Sequence, residues 1–201
     1  MIRLDVEQNS PEWFAARAGI PTSSCFDKIV TSKGEPSKQA KSYLYQLAGE
    51  RIAGAKTDTY QNAVMLRGLE MEAEAKTLFQ MVMEVDVEQV GVCYPDEQKL
   101  FSCSPDGLMP AAGLEIKCPL IHTHVGYLLA GKLPTDYIQQ VQGAMLVTGF
   151  NLWFFMSYYP GLPPLILEVQ RDWKFTAALK VALDEFCEEL DAVTEKLRRL
   201  A

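Results

Sequence analysis

Three side chains in the middle of the chain have the types and spacing needed to act on a phosphate group. Residues 104–108 read SPDGL and residues 114–119 read LEIKCP. Side chains alternate between the two faces of a strand, so Glu115 and Lys117 share one face, and Asp106 lies in a turn ahead of them. Two carboxylates and one ammonium at one point suit a hard divalent cation with a phosphate beside it. The pattern therefore indicates a cation and phosphate site.

Each of the two segments also has an ordinary structural interpretation. Ser-Pro-Asp-Gly is a common tight turn, and Glu-Ile-Lys could form the solvent face of an edge strand. Leu114, Ile116 and Cys118, however, make the opposite face of the strand apolar, which favours packing on a core. Pro119 lacks the backbone donor that would continue the strand. Together the two segments favour a functional site.

Periodicity predicts the elements that must position these side chains. Helices are predicted at residues 11–17, 22–30, 37–53, 60–84, 121–131, 135–149 and 172–200, and strands at 85–94, 99–103, 113–118, 151–159 and 164–170. This order predicts an α/β sandwich around a mixed central sheet. We expect one domain over residues 1–201, with a helical N-terminal part at 1–84, a core at 60–170 and a C-terminal helix at 172–200.

The composition is that of a globular protein, with 48% hydrophobic and 22% charged residues in a chain of 201. No apolar run approaches the roughly 20 residues of a membrane span, and the first residues do not follow the pattern of a signal peptide. The five cysteines, at positions 25, 93, 103, 118 and 187, include no pair two or three residues apart. A cysteine-rich zinc or iron–sulfur site is therefore poorly supported, and we expect reduced thiols in a cytoplasmic protein with no membrane partner.

The net charge of −7 argues against a broad basic surface for DNA. The acidic excess is local, because residues 61–130 contain four Lys or Arg against ten Asp or Glu and include the proposed cation site. Bound cations would neutralise part of that excess. Nonspecific affinity for DNA is then expected to be modest and salt-sensitive, so a DNA enzyme of this composition needs a device that keeps it on its strand.

Four motifs in the chain resemble one known family. They are Trp13 with RAGIPTSS at 17–24, RGLEMEAEA at 67–75, the SPDG and EIKCP segments, and YIQQVQG at 137–143. In this order, across roughly residues 13–143, they resemble the lambda-exonuclease-like (YqaJ-like viral recombinase) alkaline exonucleases of the PD-(D/E)XK nuclease superfamily. The resemblance implies a restriction-endonuclease-like core: an α/β fold with a mixed central β-sheet flanked by helices, in a single domain.

The resemblance also implies the residues of the site. The catalytic residues would be Asp106, Glu115, Lys117 and Gln140, and the metal ligands would be Asp106, Glu115, the backbone carbonyl of Ile116, and Glu72. Two Mg²⁺ ions, for which Mn²⁺ could substitute, would serve the hydrolysis of a phosphodiester bond. Lys117 would act on the attacking water, either as a base or as an electrostatic stabiliser, and Gln140 would donate a hydrogen bond.

Two parts of this assignment have competing interpretations from the residues alone. Glu70, Glu72 and Glu74 are spaced by two, so they splay around a helix, and the helix register decides which of them faces a metal. Arg17 and Ser24 match the family's pocket for a 5′ phosphate, at a helix N-terminus that suits an anion. Local sequence by itself favours Arg17 as a charge that ends a helix, and Ser23 and Ser24 as caps.

Other suggestive residues receive structural interpretations. His122 and His124 lie at a predicted helix start, where we expect a structural or surface role rather than metal ligation. The aromatic run at 153–155, with Tyr158 and Tyr159, is expected in the core and at a subunit interface rather than as a platform for stacked bases.

The resemblance implies a Mg²⁺-dependent 5′→3′ exonuclease on double-stranded DNA with a free 5′ end. It would release 5′ mononucleotides and leave 3′ single strands for annealing-type homologous recombination. A homotrimeric ring, a single-strand annealing protein as partner and a bacterial or phage-infected host are implied as well. Two alternatives stay open. One is a structure-specific or restriction-type endonuclease that uses the same Asp106, Glu115 and Lys117, and the other is a non-catalytic DNA-binding module of the nuclease fold.

Overall fold

The computed structural model of the protein describes residues 1–54 and 63–200, and at 63–66, 68 and 69 it describes the backbone alone. Helices α1 to α6 are Pro11–Arg17, Ala40–Ala53, Ala63–Met83, Ile121–Ala130, Ile138–Thr148 and Trp173–Arg198, and 3₁₀ helices cover Ser23–Lys28 and Thr135–Tyr137. Strands β1 to β6 are Ile2–Leu4, Val92–Tyr94, Gly107–Leu108, Ala112–Lys117, Leu152–Ser157 and Leu165–Gln170. This is the mixed α/β architecture that the sequence predicts.

The central sheet has four strands in the order β3-β4-β5-β6. β4 and β5 pair in parallel, whereas β3 with β4 and β5 with β6 pair antiparallel. A parallel pair needs a long crossover connection, which α4 and α5 provide here. The crossover brings α5 against β4, the strand that carries Glu115 and Lys117. A separate two-stranded sheet joins β1 and β2.

Alternation along β5 sends neighbouring side chains into two different apolar layers. Trp153 and Phe155 are buried together with side chains of α2, α5 and α6. Phe154 and Met156 are buried on the other face, with Phe79 of α3. Removing apolar surface from water contributes roughly 25 cal/mol per Å², so these aromatic side chains supply much of the sheet's stabilisation. The prediction that the aromatic run belongs to the core is confirmed.

The same alternation along β4 fixes the orientation of the candidate catalytic side chains. Leu114 and Ile116 are buried on the α3 side of the sheet. Glu115 and Lys117 must therefore point to the opposite side, toward α5. The predicted strand at 113–118 is thus present at nearly the expected residues, with its apolar and polar faces as expected.

The segment before the site differs from the sequence-based expectation. Of the predicted strand at 85–94 only Val92–Tyr94 forms, and 99–103 contributes isolated bridges at Ser102 and Cys103 rather than a strand. Glu88 makes a single bridge to Leu108, because β3 is only two residues long and offers it no further partner. β1 and β3 escape a periodicity analysis for the same reason, since two or three residues carry no alternation.

Several predicted helices differ from the structure at their first residues. α2 begins at Ala40 rather than at 37, and α5 at Ile138 rather than at 135. The helix predicted at 22–30 is a 3₁₀ helix over Ser23–Lys28, and the Thr22 side chain makes no capping hydrogen bond. The Thr22 hydroxyl oxygen lies instead 3.4 Å from Nη2 of Arg17. The first residues of the helix predicted at 60–84 lie outside the described ranges, and from Ala63 onward that helix is present. In the part of the chain that the structure covers, no helix is long and apolar enough to cross a membrane.

His124 has a structural role, as the sequence suggested. Its ring is buried, with Nδ1 2.8 Å from Oγ of Ser157 and Nε2 3.0 Å from the carbonyl oxygen of Pro163. A carbonyl oxygen only accepts, so Nε2 donates to Pro163, and in the tautomer protonated there Nδ1 accepts from the serine hydroxyl. The histidine therefore ties α4 to the end of β5.

Candidate active site

Asp106 takes the place that a strand residue would occupy beside β4. Its backbone N–H donates to the carbonyl of Leu114 at 3.1 Å. Its Oδ2 accepts from the backbone N–H of Ile116 at 2.5 Å. Because β3 begins only at Gly107, the carboxylate replaces the strand partner of Ile116. Strand geometry directs the Ile116 carbonyl to this same edge, next to the carboxylate.

Glu115, Lys117 and Gln140 meet on the α5 side of β4. Glu115 is 3% exposed, and its Oε1 lies 2.6 Å from Nζ of Lys117. Nε2 of Gln140, in the first turn of α5, donates to the same oxygen at 2.5 Å. The ammonium of Lys117 also lies 5.2 Å from the ring centre of Tyr137. The structure thus brings the predicted carboxylate, lysine and amide together.

The charges at this point are unbalanced toward the negative. Burial raises the pKa of Asp106 well above its usual range, and the nearby charges of Glu115 and Glu72 raise it further. Burial by itself would lower the pKa of Lys117, but the attraction of Glu115 and Asp106 outweighs it and raises that pKa above the ordinary lysine value. A group of acids that resists full ionisation in this way is suited to an added cation.

Of the three glutamates on α3, Glu72 is the one that interacts electrostatically with Asp106, Glu115 and Lys117. It is half-buried, and its pKa is raised by burial and by Glu115, while Lys76 and Lys117 act in the opposite direction. Glu74 is engaged elsewhere, since it accepts from the hydroxyl of Tyr158 at 2.5 Å. Glu70 is exposed.

The donors fit Mg²⁺ in kind, although they are not arranged as a finished metal centre. Carboxylate and carbonyl oxygens are the ligands that Mg²⁺ prefers, and it needs only a few of them because it retains water. Within residues 1–54 and 63–200, no three His, Cys, Asp or Glu side chains converge closely enough to hold a metal. Asp106 and Glu115 are occupied by Ile116 and Lys117. Each contact uses one oxygen, Oδ2 of Asp106 and Oε1 of Glu115, so the second oxygen of each carboxylate is the atom that would bind a cation.

Arg17 lies in a second polar pocket close to the acids. The residue is 8% exposed, and its Cζ lies 3.8 Å from the ring centre of Trp13. Nη1 is 3.4 Å from the hydroxyl of Ser104, and Nη2 is 3.4 Å from the hydroxyls of Thr22 and Ser24. Among the described residues no carboxylate forms an ion pair with this arginine, and its buried Nε has no hydrogen-bond partner.

The buried guanidinium of Arg17, surrounded by hydroxyl groups, is suited to binding an anion. Burial lowers the pKa of Arg17, and the attraction of neighbouring groups that include Glu115 only partly offsets this effect. An unpaired buried charge is costly, and a planar guanidinium matches a phosphate through two hydrogen bonds. Ser24 is exposed, so the pocket opens to solvent on that side. Ser104, two residues before Asp106, joins this pocket to the acidic cluster.

The structure adds residues that the sequence analysis did not assign. Ser104 and Thr22 line the Arg17 pocket. Lys76 is attracted by Asp106 and Glu72, although burial lowers its pKa, and it donates to the side-chain oxygen of Gln89. The spacing of four between Glu72 and Lys76 on one helix was a signal that could have identified the lysine.

A mixed sheet between helices, with an Asp, a Glu and a Lys at one strand end, defines the class of α/β nuclease folds. Residues 12–151 match the YqaJ-like viral recombinase domain, and the chain belongs to that family. An alkaline exonuclease (LHK-Exo) from Laribacter hongkongensis is 32% identical, with a TM-score of 0.86 over 94% of this chain and 97% of that chain. The structure of LHK-Exo in complex with dAMP gives 31% identity and a TM-score of 0.85 over the same shares, 94% and 97%.

A more distant structure shares the fold. The phage related exonuclease from Haemophilus somnus 129PT is 16% identical, with a TM-score of 0.70 over 89% of this chain and 96% of that chain. A search of curated proteins gave no match. The lambda-exonuclease-like resemblance and the mixed α/β fold predicted from sequence are thereby confirmed.

Proposed function

We propose that the protein is a Mg²⁺-dependent 5′→3′ exonuclease on double-stranded DNA, which releases 5′ mononucleotides and leaves 3′ single strands for annealing-type recombination. The observation that carries the proposal is the position of the Arg17 pocket beside Asp106, Glu115 and Lys117. An anion pocket next to a hydrolytic centre favours a substrate whose end carries a phosphate. Membership of the family, and the similarity to an alkaline exonuclease that has been solved with dAMP, support the same conclusion.

In this proposal the Arg17 pocket determines which phosphodiester bond is cleaved. Arg17, with the hydroxyls of Ser24 and Ser104, binds the terminal 5′ phosphate. The next phosphodiester along the strand then lies over Asp106 and Glu115. Holding the end in this way makes cleavage effectively intramolecular and limits each event to one nucleotide.

Lys117 acts in this proposal as a fixed positive charge rather than as a base. Its raised pKa keeps the ammonium protonated at neutral and moderately alkaline pH. The ammonium therefore orients the attacking water and stabilises the negative charge that develops on the phosphate. Gln140 fixes Glu115, and its hydrogen bond to Oε1 keeps that carboxylate turned toward Lys117.

The proposed ligands of Mg²⁺ are Asp106, Glu115, the carbonyl of Ile116 and Glu72. When bound, the ions would polarise the scissile phosphate and supply an activated water. The proposal also includes a ring-shaped homotrimer and a single-strand annealing protein as partner. The acidic net charge of −7 supports a ring, because a chain with few basic contacts needs another means to stay on DNA.

A time course on three duplex substrates tests the proposal. Linear DNA labelled at the 5′ end, linear DNA labelled internally and a covalently closed circle are incubated with and without Mg²⁺. We expect Mg²⁺-dependent mononucleotide release from the linear substrates alone, faster from 5′-phosphate than from 5′-hydroxyl ends. Cutting of the closed circle would instead assign the site to an endonuclease. Absence of acid-soluble product from every substrate would leave a DNA-binding module.

A further inference from the structure

Arg67 is a second arginine whose side chain is only partly satisfied. It lies on α3, five residues before Glu72. Its Cζ lies 4.8 Å from the ring centre of Tyr159, and Nη1 is 3.5 Å from the carbonyl oxygen of Pro119. Nη2 is buried and has no hydrogen-bond partner. No ion pair among the described residues includes this guanidinium.

The location of Arg67 relates it to the active site. Pro119 comes two residues after Lys117, at the end of β4, and the backbone N–H of Tyr158 donates to the Lys117 carbonyl at 2.9 Å. Arg67 therefore lies at the ends of the two parallel strands that form the floor of the site. Arg17 lies elsewhere on the acidic cluster, next to Ser104. The acids thus have one unpaired arginine at the turn before β3 and another beyond the end of β4.

We propose that Arg67 binds a backbone phosphate of the cleaved strand on the 3′ side of the scissile bond. This inference rests on the proposed function, in which Arg17 holds the 5′ end. A strand that starts at Arg17 and crosses the acids continues toward Pro119. Stacking on Tyr159 fixes the plane of the guanidinium, and the side chain is only half-buried, so a phosphate at its open side would take up hydrogen-bond donors that the protein leaves unused.

A purely structural clamp explains the geometry less well. The hydrogen bond from Arg67 to Pro119 is long, at 3.5 Å, and so contributes little. A buried N–H without an acceptor costs free energy, which a ligand oxygen would recover. If Arg67 only held the fold together, its N–H groups would be expected to bond to acceptors of the protein. One of them, on Nη2, has no acceptor.

Neutral phosphates placed one at a time in the substrate test the proposal. Each of the first three linkages on the 3′ side of the scissile bond is replaced in turn by a methylphosphonate, in a 5′-phosphorylated duplex. Binding to the full-length protein in its native assembly is measured by fluorescence anisotropy in EDTA. We expect wild type to lose about 10-fold in affinity at one linkage. Arg67→Met should bind the unmodified duplex about 10-fold more weakly and be insensitive at that linkage.

Arg171→Met is a matched control. Its Cζ lies 4.3 Å from the ring centre of Trp173, so the same kind of pair is lost, and its Nε donates to the hydroxyl of Thr176. The backbone N–H of Arg171 donates to the carbonyl of Asn151, which places this arginine at the opposite end of the sheet. This variant should keep the wild-type response to every methylphosphonate. In cleavage assays Arg67→Met should raise KM more than it lowers kcat, and Arg67→Lys should recover part of the loss.

The possible outcomes separate this inference from the proposed function. If wild type and Arg67→Met respond equally at every linkage, or if Arg67→Met only lowers the melting temperature without a linkage-specific effect, Arg67 is a clamp and the inference is wrong. If wild type binds with the expected pattern but releases no mononucleotide, the proposed exonuclease fails while the phosphate contact stands.

Discussion

Lys117 is the residue for which the structure narrows the chemical role most. Its ammonium lies 2.6 Å from Glu115, and the surrounding acids raise its pKa. A group that stays protonated is a poor base and a good stabiliser of charge. We expect Lys117→Ala to lower the cleavage rate at least about 100-fold and to leave DNA binding largely intact, because the acids remain. Single-turnover rates and anisotropy measure the two effects, and near-normal hydrolysis would contradict this role.

The charge of Asp106 is expected to serve activity but to lower the stability of the metal-free fold. Its pKa is raised in the folded protein, so the metal-free fold favours the protonated form. Protonated Asp106 therefore contributes to the stability of the metal-free fold at low pH. That contribution is lost as the pH rises from the ordinary carboxyl range through the raised pKa. Asp106→Asn removes this charge but retains an oxygen for the N–H of Ile116. We expect the variant to be inactive, yet more resistant to urea than wild type in EDTA at neutral pH.

The control for this prediction is an acid on the surface. Asp184 forms an exposed pair with Lys180, so Asp184→Asn should change the free energy of unfolding by about 0.5 kcal/mol or less. Urea unfolding of all three proteins across the acidic to neutral range gives the comparison. A metal-free Asp106→Asn protein less stable than wild type at neutral pH would mean that the aspartate is not electrostatically strained.

At the scale of elements, the sequence predicted what depends on periodicity. The alternation in β4 correctly located Glu115 and Lys117 on one face. The helix predicted at 135–149 is present as α5 from Ile138 and carries Gln140 to them. It could not predict β3, which is two residues long and forms only because β4 lies beside it. Nor could it locate Arg67 beside Pro119, because that contact joins residues 52 apart.

A close contact joins the 3₁₀ helix of the Arg17 pocket to α5, the helix that carries Gln140. A Cβ at Gly143 of α5 would lie 2.4 Å from the ring of Phe26, in the 3₁₀ helix that also carries Ser24. Gly143→Ala should therefore push the two helices apart. We expect about 1–3 kcal/mol of lost stability, and a reduced preference for 5′-phosphorylated ends because Ser24 and Gln140 move relative to each other.

Gly126 supplies the matched control for this prediction. It lies inside α4, and a Cβ there would meet nothing within 4 Å. Gly126→Ala should raise the free energy of unfolding by about 0.5–1 kcal/mol, because alanine favours a helix over glycine. Chemical denaturation and end-preference assays on both variants make the test. Equal effects of the two substitutions would show that the contact of Gly143 with Phe26 does not govern the site.

At the scale of the whole molecule, the acidic net charge limits how strongly the protein can bind DNA. The net charge is −7, and the cationic groups that face the candidate site are few. Each phosphate contact adds roughly 0.7–0.9 to the salt dependence of binding, so a few contacts give weak attachment that salt readily breaks. Such attachment alone would release the protein from DNA after few cleavage events.

A closed ring around the DNA would let the protein degrade a strand processively even if its affinity for DNA is low. We therefore expect the protein to have the mass of three chains by light scattering, and to continue degrading a bound linear duplex after excess unlabelled DNA is added. Raising the salt before mixing should sharply reduce initial binding, because capture is electrostatic, whereas raising it after engagement should shorten the run far less, because threading is topological. Degradation that stops as soon as the competitor arrives would contradict the ring and would leave only the contacts at the active site to hold the strand.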